Sequence, residues 1–304
     1  MREQGESARR TARRLATAGI PHKAEEPLSR HTTIGLGGPA ELFVEPRFVE
    51  EIATVLEIAA AEGMPFRVLG AGSNLLVDDG GVRGVVLHTG ALDFVRFLEA
   101  GRVEAGAGVH FPTLVRKTAA SGLRGIEAGV GIPGSLGGVL TMNAGAYDFS
   151  IGRHVERVSA VSPHRGPIVL ARDQIDFRYR ASSFGSDLIV ASALLALTKD
   201  EPAAIKFDLD RHMRFRKETQ PVGVKSAGCI FKNPEGDSAG RLIDSVGLKG
   251  FRVGGARISD VHANFIVHDG KASAADVLGL IDAVREKVFR DSRIALEAEV
   301  MTWS

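Results

Sequence analysis

The sequence is poor in the features that would tie it to a membrane, to nucleic acid or to an oxidising compartment. A single cysteine, Cys229, stands among 304 residues, so no internal disulfide can form, and the composition fits a reducing compartment. The longest apolar stretch, Ile189 to Leu197, falls far short of the roughly 20 residues that span a bilayer. The first twenty residues are rich in arginine and alanine without the apolar centre of a secretory signal, and read as a solvated helix. Thirty-eight basic against 37 acidic residues leave a net charge of +1, and no dense run of lysine or arginine offers the patch that nucleic-acid binding needs. The nine histidines show no His-Glu-x-x-His or other ligand spacing, so no metal is expected. Internal repeats and low-complexity tracts are missing as well. A cytoplasmic protein that touches neither nucleic acid nor membrane is the expectation.

What remains is an ordinary soluble composition, 44% hydrophobic and 25% charged, in a chain long enough for two or three domains. From Leu42 to about Thr198 short β-branched runs alternate with helical periodicity. Strands are predicted at 66–69, 85–88, 102–105, 155–162 and 188–193, and helices at 49–61 and 112–121. A charged, proline-containing stretch at 199–202 breaks the pattern. Beyond it, Ser273 with Asp276 three residues on predicts the start of a helix whose apolar stripe is Val277, Leu280, Ile281, Val284 and Val288. A last strand is predicted over 294–302, with Glu297 and Glu299 sharing one face. The expected organisation is α+β: an N-terminal helical extension over 1–30, a domain of two subdomains over 31–199, and a smaller α+β domain over 200–304.

The 36 glycines are not spread evenly. Gly70-Ala71-Gly72-Ser73-Asn74 follows a predicted strand, so its backbone N–H groups can approach an anion such as a pyrophosphate while Ser73 and Asn74 add donors. A lone Gly-x-Gly is more often a tight surface turn. The second cluster runs Gly131-Ile132-Pro133-Gly134-Ser135-Leu136-Gly137-Gly138 and leads into Asn143-Ala144-Gly145, where so little side-chain bulk lets a large flat ligand lie against backbone. Neither cluster has the Gly-x-Gly-x-x-Gly spacing of a dinucleotide fold or the Lys-Ser/Thr ending of a P-loop.

These segments, with Arg30-His31-Thr32-Thr33-Ile34-Gly35-Leu36-Gly37-Gly38, Phe231-Lys232-Asn233-Pro234 and His262-Ala263-Asn264-Phe265-Ile266-Val267, resemble the UDP-N-acetylenolpyruvoylglucosamine reductase family in its shorter form, over about 31–300. The resemblance implies an FAD-binding domain of the p-cresol methylhydroxylase type and a smaller C-terminal substrate domain. It implies reduction of UDP-N-acetylglucosamine enolpyruvate by NADPH through FAD, a step of peptidoglycan precursor synthesis, in a monomer. The first loop, with Leu75, would hold the FAD pyrophosphate, and the second would line the flavin. Many relatives in the wider superfamily tether FAD through a histidine beside the phosphate loop. Ser73 and Asn74 stand there in this sequence, so FAD is expected to be noncovalent.

Reducing a carbon–carbon double bond that bears a carboxylate takes a hydride, stabilisation of the enolate and a proton. By the resemblance Arg180 faces the substrate carboxylate beside Tyr179, and Glu299 is the family's C-terminal glutamate. Cys229 stands where serine is usual. A thiol with a pKa of about 8.5 is mostly protonated at neutral pH and can serve as the proton donor; Ser226 is a rival donor nearby. Lys232 and Asn233 match the substrate motif, and Arg214 and Lys217 are basic residues placed to reach the UDP phosphates. Two other readings stand beside this one: a related FAD-dependent sugar or hydroxy-acid oxidoreductase, and a binding protein that has kept the loops without turnover.

Overall fold

The computed structural model describes residues 2–146, 148–185 and 188–304, with the side chains of residues 2–4 also left out; Tyr147, which ends the second glycine-rich segment, lies outside the described residues. The fold is α+β and divides into two units, neither continuous in sequence. The first holds residues 1–26, 41–71 and 83–214, and the second 27–40, 72–82 and 215–304.

In the first unit, helix α1 (Arg2–Thr17) buries Thr11 and Leu15 on one face, and Arg10 and Arg14 on its exposed face both reach Glu62. Helix α2 (Val49–Ala61) supplies the matching apolar stripe Ile52, Val55, Leu56 and Ala59. A four-stranded sheet runs in the order His22–Pro27, Pro39–Val44, Val82–His88, Phe66–Leu69, and its last two strands pair in parallel from Phe66↔Val85 to Leu69↔His88. Only its end residues Pro27, Pro39, Ala40 and Val82 belong to the second unit.

The second sheet of this unit has five strands in the order Gly166–Ala171, Val155–Ser162, Ile189–Ala196, Arg102–Gly106, Val95–Phe97. Ile189–Ala196 is the central strand and is buried on both faces, which is why it reads as a near-continuous apolar run. The edge strand Gly166–Ala171 instead alternates half-buried and exposed residues. Helix α3 (Phe111–Ala120) starts with proline in its first turn, and the short helix α4 (Leu136–Thr141) begins within the second glycine cluster. Helix α5 (Pro202–Thr219) begins in the first unit and ends in the second.

The second unit packs α6 (Ala239–Ser245) and α7 (Ala274–Ser292) with a three-stranded antiparallel sheet, Arg252–Val253, Ala256–Ile258 and Ile266–His268. The capping box read from sequence is present: Ser273 Oγ accepts from Asp276 N–H, and Asp276 accepts from Ser273 N–H. Asp79 adds to it by accepting from the N–H groups of Ala274 and Ala275, which satisfies donors that a helix start leaves free.

The predicted final strand is shortened. A ladder forms only at Met301–Trp303, parallel to Leu75–Val77. Residues 294–300 keep the expected alternation only in part, with Leu296 and Val300 buried and Glu297 exposed but Ile294, Ala298 and Glu299 all half-buried, and their backbone groups are taken by other partners. Glu299 N–H donates to Ile230 C=O, Glu297 C=O accepts from Lys232 N–H, and Glu299 C=O accepts from the Asn74 side chain.

Candidate functional site

In the first unit the two glycine clusters meet at one serine. Ser135 is the residue that precedes α4, where a serine ordinarily caps the helix, yet its hydroxyl makes no capping hydrogen bond. It turns instead toward Gly70, where a Cβ would lie 2.4 Å from Ser135 Oγ. Ser135 is 3% exposed, and its Oγ has no hydrogen-bond partner among the described residues. A buried hydroxyl without a partner costs free energy in the ligand-free protein, and a ligand heteroatom removes that cost. An FAD group fits this feature: a hydroxyl donor beside a backbone stripped of side-chain bulk.

The rest of the second cluster is held by main-chain contacts. Gly137 N–H donates to Ala107 C=O at 2.8 Å, Gly134 C=O accepts from Phe111 N–H, and Ala144 N–H donates to Val139 C=O. Gly131 and Ile132 are half-buried, whereas Pro133 and Gly138 present an exposed surface. Gly145 pairs with Ser150, and a Cβ there would meet Phe149 O at 2.3 Å, so packing requires glycine at this position.

Arg180 is brought onto this segment by a hairpin. Phe177–Arg178 pairs with Ala181–Ser182, leaving Tyr179 and Arg180 as a two-residue turn. Arg180 sits at φ +54°, a left-handed conformation costly for a side chain of its size, and such strain collects at functional positions. Three contacts hold it there. Arg180 Nη1 donates to Gly145 C=O at 2.9 Å, Asn143 Nδ2 to Arg178 C=O at 2.8 Å, and Ser182 Oγ to Thr141 C=O at 2.7 Å. The guanidinium also stacks 5.3 Å from the Tyr179 ring, which is itself exposed. Asn143, read from sequence as lining the cofactor, is buried and spends its amide on this hairpin and on Gly152 N–H.

The second unit brings together Cys229 and Glu299. The segment 229–232 lies between two others. On one edge Cys229 bridges Phe265, and Ile230 N–H donates to Asn264 C=O. On the opposite edge Phe231 bridges Ala298, and Ile230 C=O accepts from the N–H groups of Glu299 (2.8 Å) and Val300 (3.3 Å). The thiol and the carboxylate therefore sit on directly hydrogen-bonded segments. Ser226, the rival donor, uses its carbonyl to accept from Thr33 Oγ1 at 2.8 Å.

The end of the first glycine loop also lies in this unit. Gly72, at φ +59°, packs against main chain, with a Cβ position 2.1 Å from His31 O, and its carbonyl accepts from Thr33 N–H. Asn74 donates from its side-chain amide to Glu299 C=O at 2.9 Å, so it ties the loop to the glutamate's segment. Ala71 is exposed, Ser73 half-buried, and Leu75 buried at the start of its strand.

Of the four residues read as substrate-binding through UDP, Lys232 already pairs with Glu297 (Nζ to Oε1, 2.5 Å), and Asn233 Oδ1 accepts from Ala239 N–H. Arg214 and Lys217 are exposed and lie three apart on α5, hence on one face. Asn264 is the residue to which sequence reasoning gave no role. Its signal was a polar residue inside the apolar run Ala263-Asn264-Phe265-Ile266-Val267, and it is 3% exposed with both side-chain functions engaged. Among the described residues no three His, Cys, Asp or Glu side chains form a metal-binding group, and no helix is long and apolar enough to cross a membrane.

With this geometry in place, comparison with known proteins agrees over nearly the whole chain. The model of an FAD binding domain matches residues 40–170, and that of the UDP-N-acetylenolpyruvoylglucosamine reductase C-terminal domain matches 220–303. The chain is 44% identical over 278 residues to the UDP-N-acetylenolpyruvoylglucosamine reductase of Moorella thermoacetica, covering 91% of this chain and 92% of that protein. It is 42% identical over 280 residues to the protein of that name from Syntrophotalea carbinolica, covering 92% and 93%. The crystal structure of UDP-N-acetylenolpyruvylglucosamine reductase from Thermus caldophilus superposes with a TM-score of 0.80 at 39% identity, covering 94% of this chain and 99% of that one.

Proposed function

The chain belongs to the UDP-N-acetylenolpyruvoylglucosamine reductase family and is an FAD-dependent oxidoreductase, and from that premise we propose that it reduces UDP-N-acetylglucosamine enolpyruvate to UDP-N-acetylmuramate with NADPH. The observation that carries this reading is the pairing of the Cys229 and Glu299 segments through Ile230, which sets the residue that carries the thiol and the residue that carries the carboxylate within one hydrogen-bonded unit. The reaction supports a place in peptidoglycan precursor synthesis, and the dependence on NADPH together with a lone cysteine supports a cytoplasmic setting.

FAD, bound noncovalently, supplies two-electron hydride chemistry between a nicotinamide and a carbon–carbon double bond. Ser135 and the backbone of Gly70, Gly134 and Gly138 are assigned to holding it, with Ser73 as a further donor. Arg180 presents a planar fork of donors to the substrate carboxylate and stabilises the negative charge that develops there when the neighbouring carbon accepts hydride. Cys229 gives the thiol proton to the carbon that carries the enolate charge, and the resulting thiolate is reprotonated from solvent. Glu299 is the remaining acid–base group of the set. Arg214 and Lys217 are assigned to the diphosphate. Lys232 joins them by exchanging its partner Glu297 for a phosphate oxygen, and Asn233 lies at the same turn.

The test separates the two half-reactions. Under anaerobic conditions NADPH should bleach the flavin, and the enolpyruvyl UDP-sugar should restore its absorbance. In Cys229→Ala, bleaching should persist while restoration slows by about 10²-fold, and Cys229→Ser should recover much of the rate. Restoration at the parental rate in Cys229→Ala would remove the thiol from the reaction. Failure of the UDP-sugar to reoxidise the parent protein would remove the reaction itself.

A further inference from the structure

We propose that Asn264 is a positioning residue for Cys229, a role that rests on the assignment of Cys229 as proton donor. The main chain turns just before the thiol: Gly228 is at φ +76°, and the nearest atom to a Cβ there is Ser73 O at 3.8 Å. Beyond the bridge of Cys229 itself to Phe265, its setting depends on what grips the residues that follow it, 230–232. On the outer edge of that segment an ordinary sheet would supply a neighbouring strand. Here one side chain takes its place. Asn264 Oδ1 accepts from Phe231 N–H at 2.9 Å, and Asn264 Nδ2 donates to Phe231 C=O at 2.8 Å, so a single carboxamide completes both polar groups of one residue.

The same residue grips twice more through its backbone. Its carbonyl accepts from Ile230 N–H at 3.0 Å, and its own N–H donates to His262 Nδ1 at 3.2 Å. Asn264 is thus anchored while it anchors. Only asparagine at this side-chain length offers one donor and one acceptor to a facing residue. Aspartate at neutral pH would set a carboxylate oxygen against Phe231 C=O, and alanine would leave both Phe231 groups buried without partners. Since Glu299 hangs from the Ile230 carbonyl on the opposite edge, a shift of this segment changes the setting of thiol and carboxylate together.

The experiment uses FAD-loaded protein carrying Asn264→Ala or Asn264→Asp and three readouts. Flavin reduction by NADPH should stay within about twofold of the parent, while reoxidation by the enolpyruvyl UDP-sugar should slow at least about tenfold, because misplacement on the order of 1 Å is costly for proton transfer. Alkylation by iodoacetamide reports the chain's one thiol directly, and its rate should change by roughly threefold or more as the environment of Cys229 changes. Unchanged reoxidation and alkylation, or equal slowing of both half-reactions, overturns the proposal. Were Cys229 not the donor, Cys229→Ala would reoxidise normally while the alkylation rate still reported on the clamp, so the two failures are distinguishable. If neither variant retains flavin, hydrogen exchange in the unsubstituted holoenzyme decides. The Ile230 and Phe231 amides should be among the slowest of the second unit, and exchange at the rate of exposed loop amides overturns the clamp.

Discussion

Replacing Ser135 by alanine should have opposite effects on the empty and the loaded protein. In the ligand-free chain Ser135 Oγ is buried without a partner among the described residues, a situation that costs about 1–3 kcal/mol for a hydroxyl. Alanine removes the hydroxyl and leaves a gap of a single atom, so the apoprotein should gain roughly 1 kcal/mol and melt a few degrees higher. In the loaded protein that hydroxyl faces Gly70 and is assigned to FAD, where a hydrogen bond to a charged group contributes about 1.5–3 kcal/mol. Its loss should weaken FAD binding by roughly 10- to 100-fold. The assay is thermal unfolding of apo- and holoprotein, combined with titration of apoprotein by FAD followed through quenching of flavin fluorescence. A lower melting point for the apo variant would show that Ser135 is satisfied within the protein, and unchanged FAD affinity would remove it from the cofactor site.

Three further outcomes are expected. Gly72→Ala should destabilise the protein by at least about 2 kcal/mol in thermal or urea melts, because a left-handed φ of +59° combines with a Cβ position 2.1 Å from His31 O; Gly63→Ala, at φ +64° with open space, should cost only about 1 kcal/mol, and equal costs would refute the packing argument. Arg180→Lys should slow reoxidation by substrate far more than reduction by NADPH, since lysine lacks the planar fork; equal slowing in stopped-flow traces would count against the assignment. Stability should also fall with acid. Burial holds His154 and His262 below the ordinary histidine value, with the nearby Lys249 adding to the effect at His262. Their unfolded forms therefore bind protons first as pH falls below about 6.5, and unfolding midpoints should be level above pH 7 and drop between about pH 6.5 and 5; a flat profile over that range would exclude the two rings as its source.

The parts of the fold legible in the sequence are those where local chemistry and burial agree. The strand 155–162, the apolar run that became the central strand Ile189–Ala196, and the helix opened by Ser273 and Asp276 are of this kind. The segment 294–300 shows where that agreement ends. Its alternation is a statement about burial, which holds at Leu296, Glu297 and Val300 but not at Ala298 and Glu299, both half-buried, and whether such a segment joins a ladder depends on which backbone groups face it. Here those groups belong to Ile230, Lys232 and the Asn74 side chain, far away in sequence. Likewise nothing local in 27–40 or 72–82 announces that these stretches belong with the C-terminal residues, because the contacts that place them there are all long-range.

The same distinction separates the two glycine clusters and explains why the site was only half legible. Composition shows that bulk is absent but not what required its absence. At Gly70 the space is adjoined by an orphan hydroxyl, which points to a ligand; at Gly72 and Gly145 it is filled by the chain's own carbonyls, which points to packing. A glycine-rich motif is therefore a mixture of binding and structural positions, and only the neighbours of each missing Cβ sort them. Asparagines carry the converse ambiguity. Asn74 and Asn143 are read from sequence as cofactor-binding and Asn264 is given no role, yet each of the three spends its amide on a backbone carbonyl at or near a proposed catalytic residue, Glu299, Arg180 or Cys229. Each proposed catalytic residue thus has an asparagine holding the main chain at or near its own position, and substitution of those three amides should alter the chemistry through geometry rather than through lost contact with substrate.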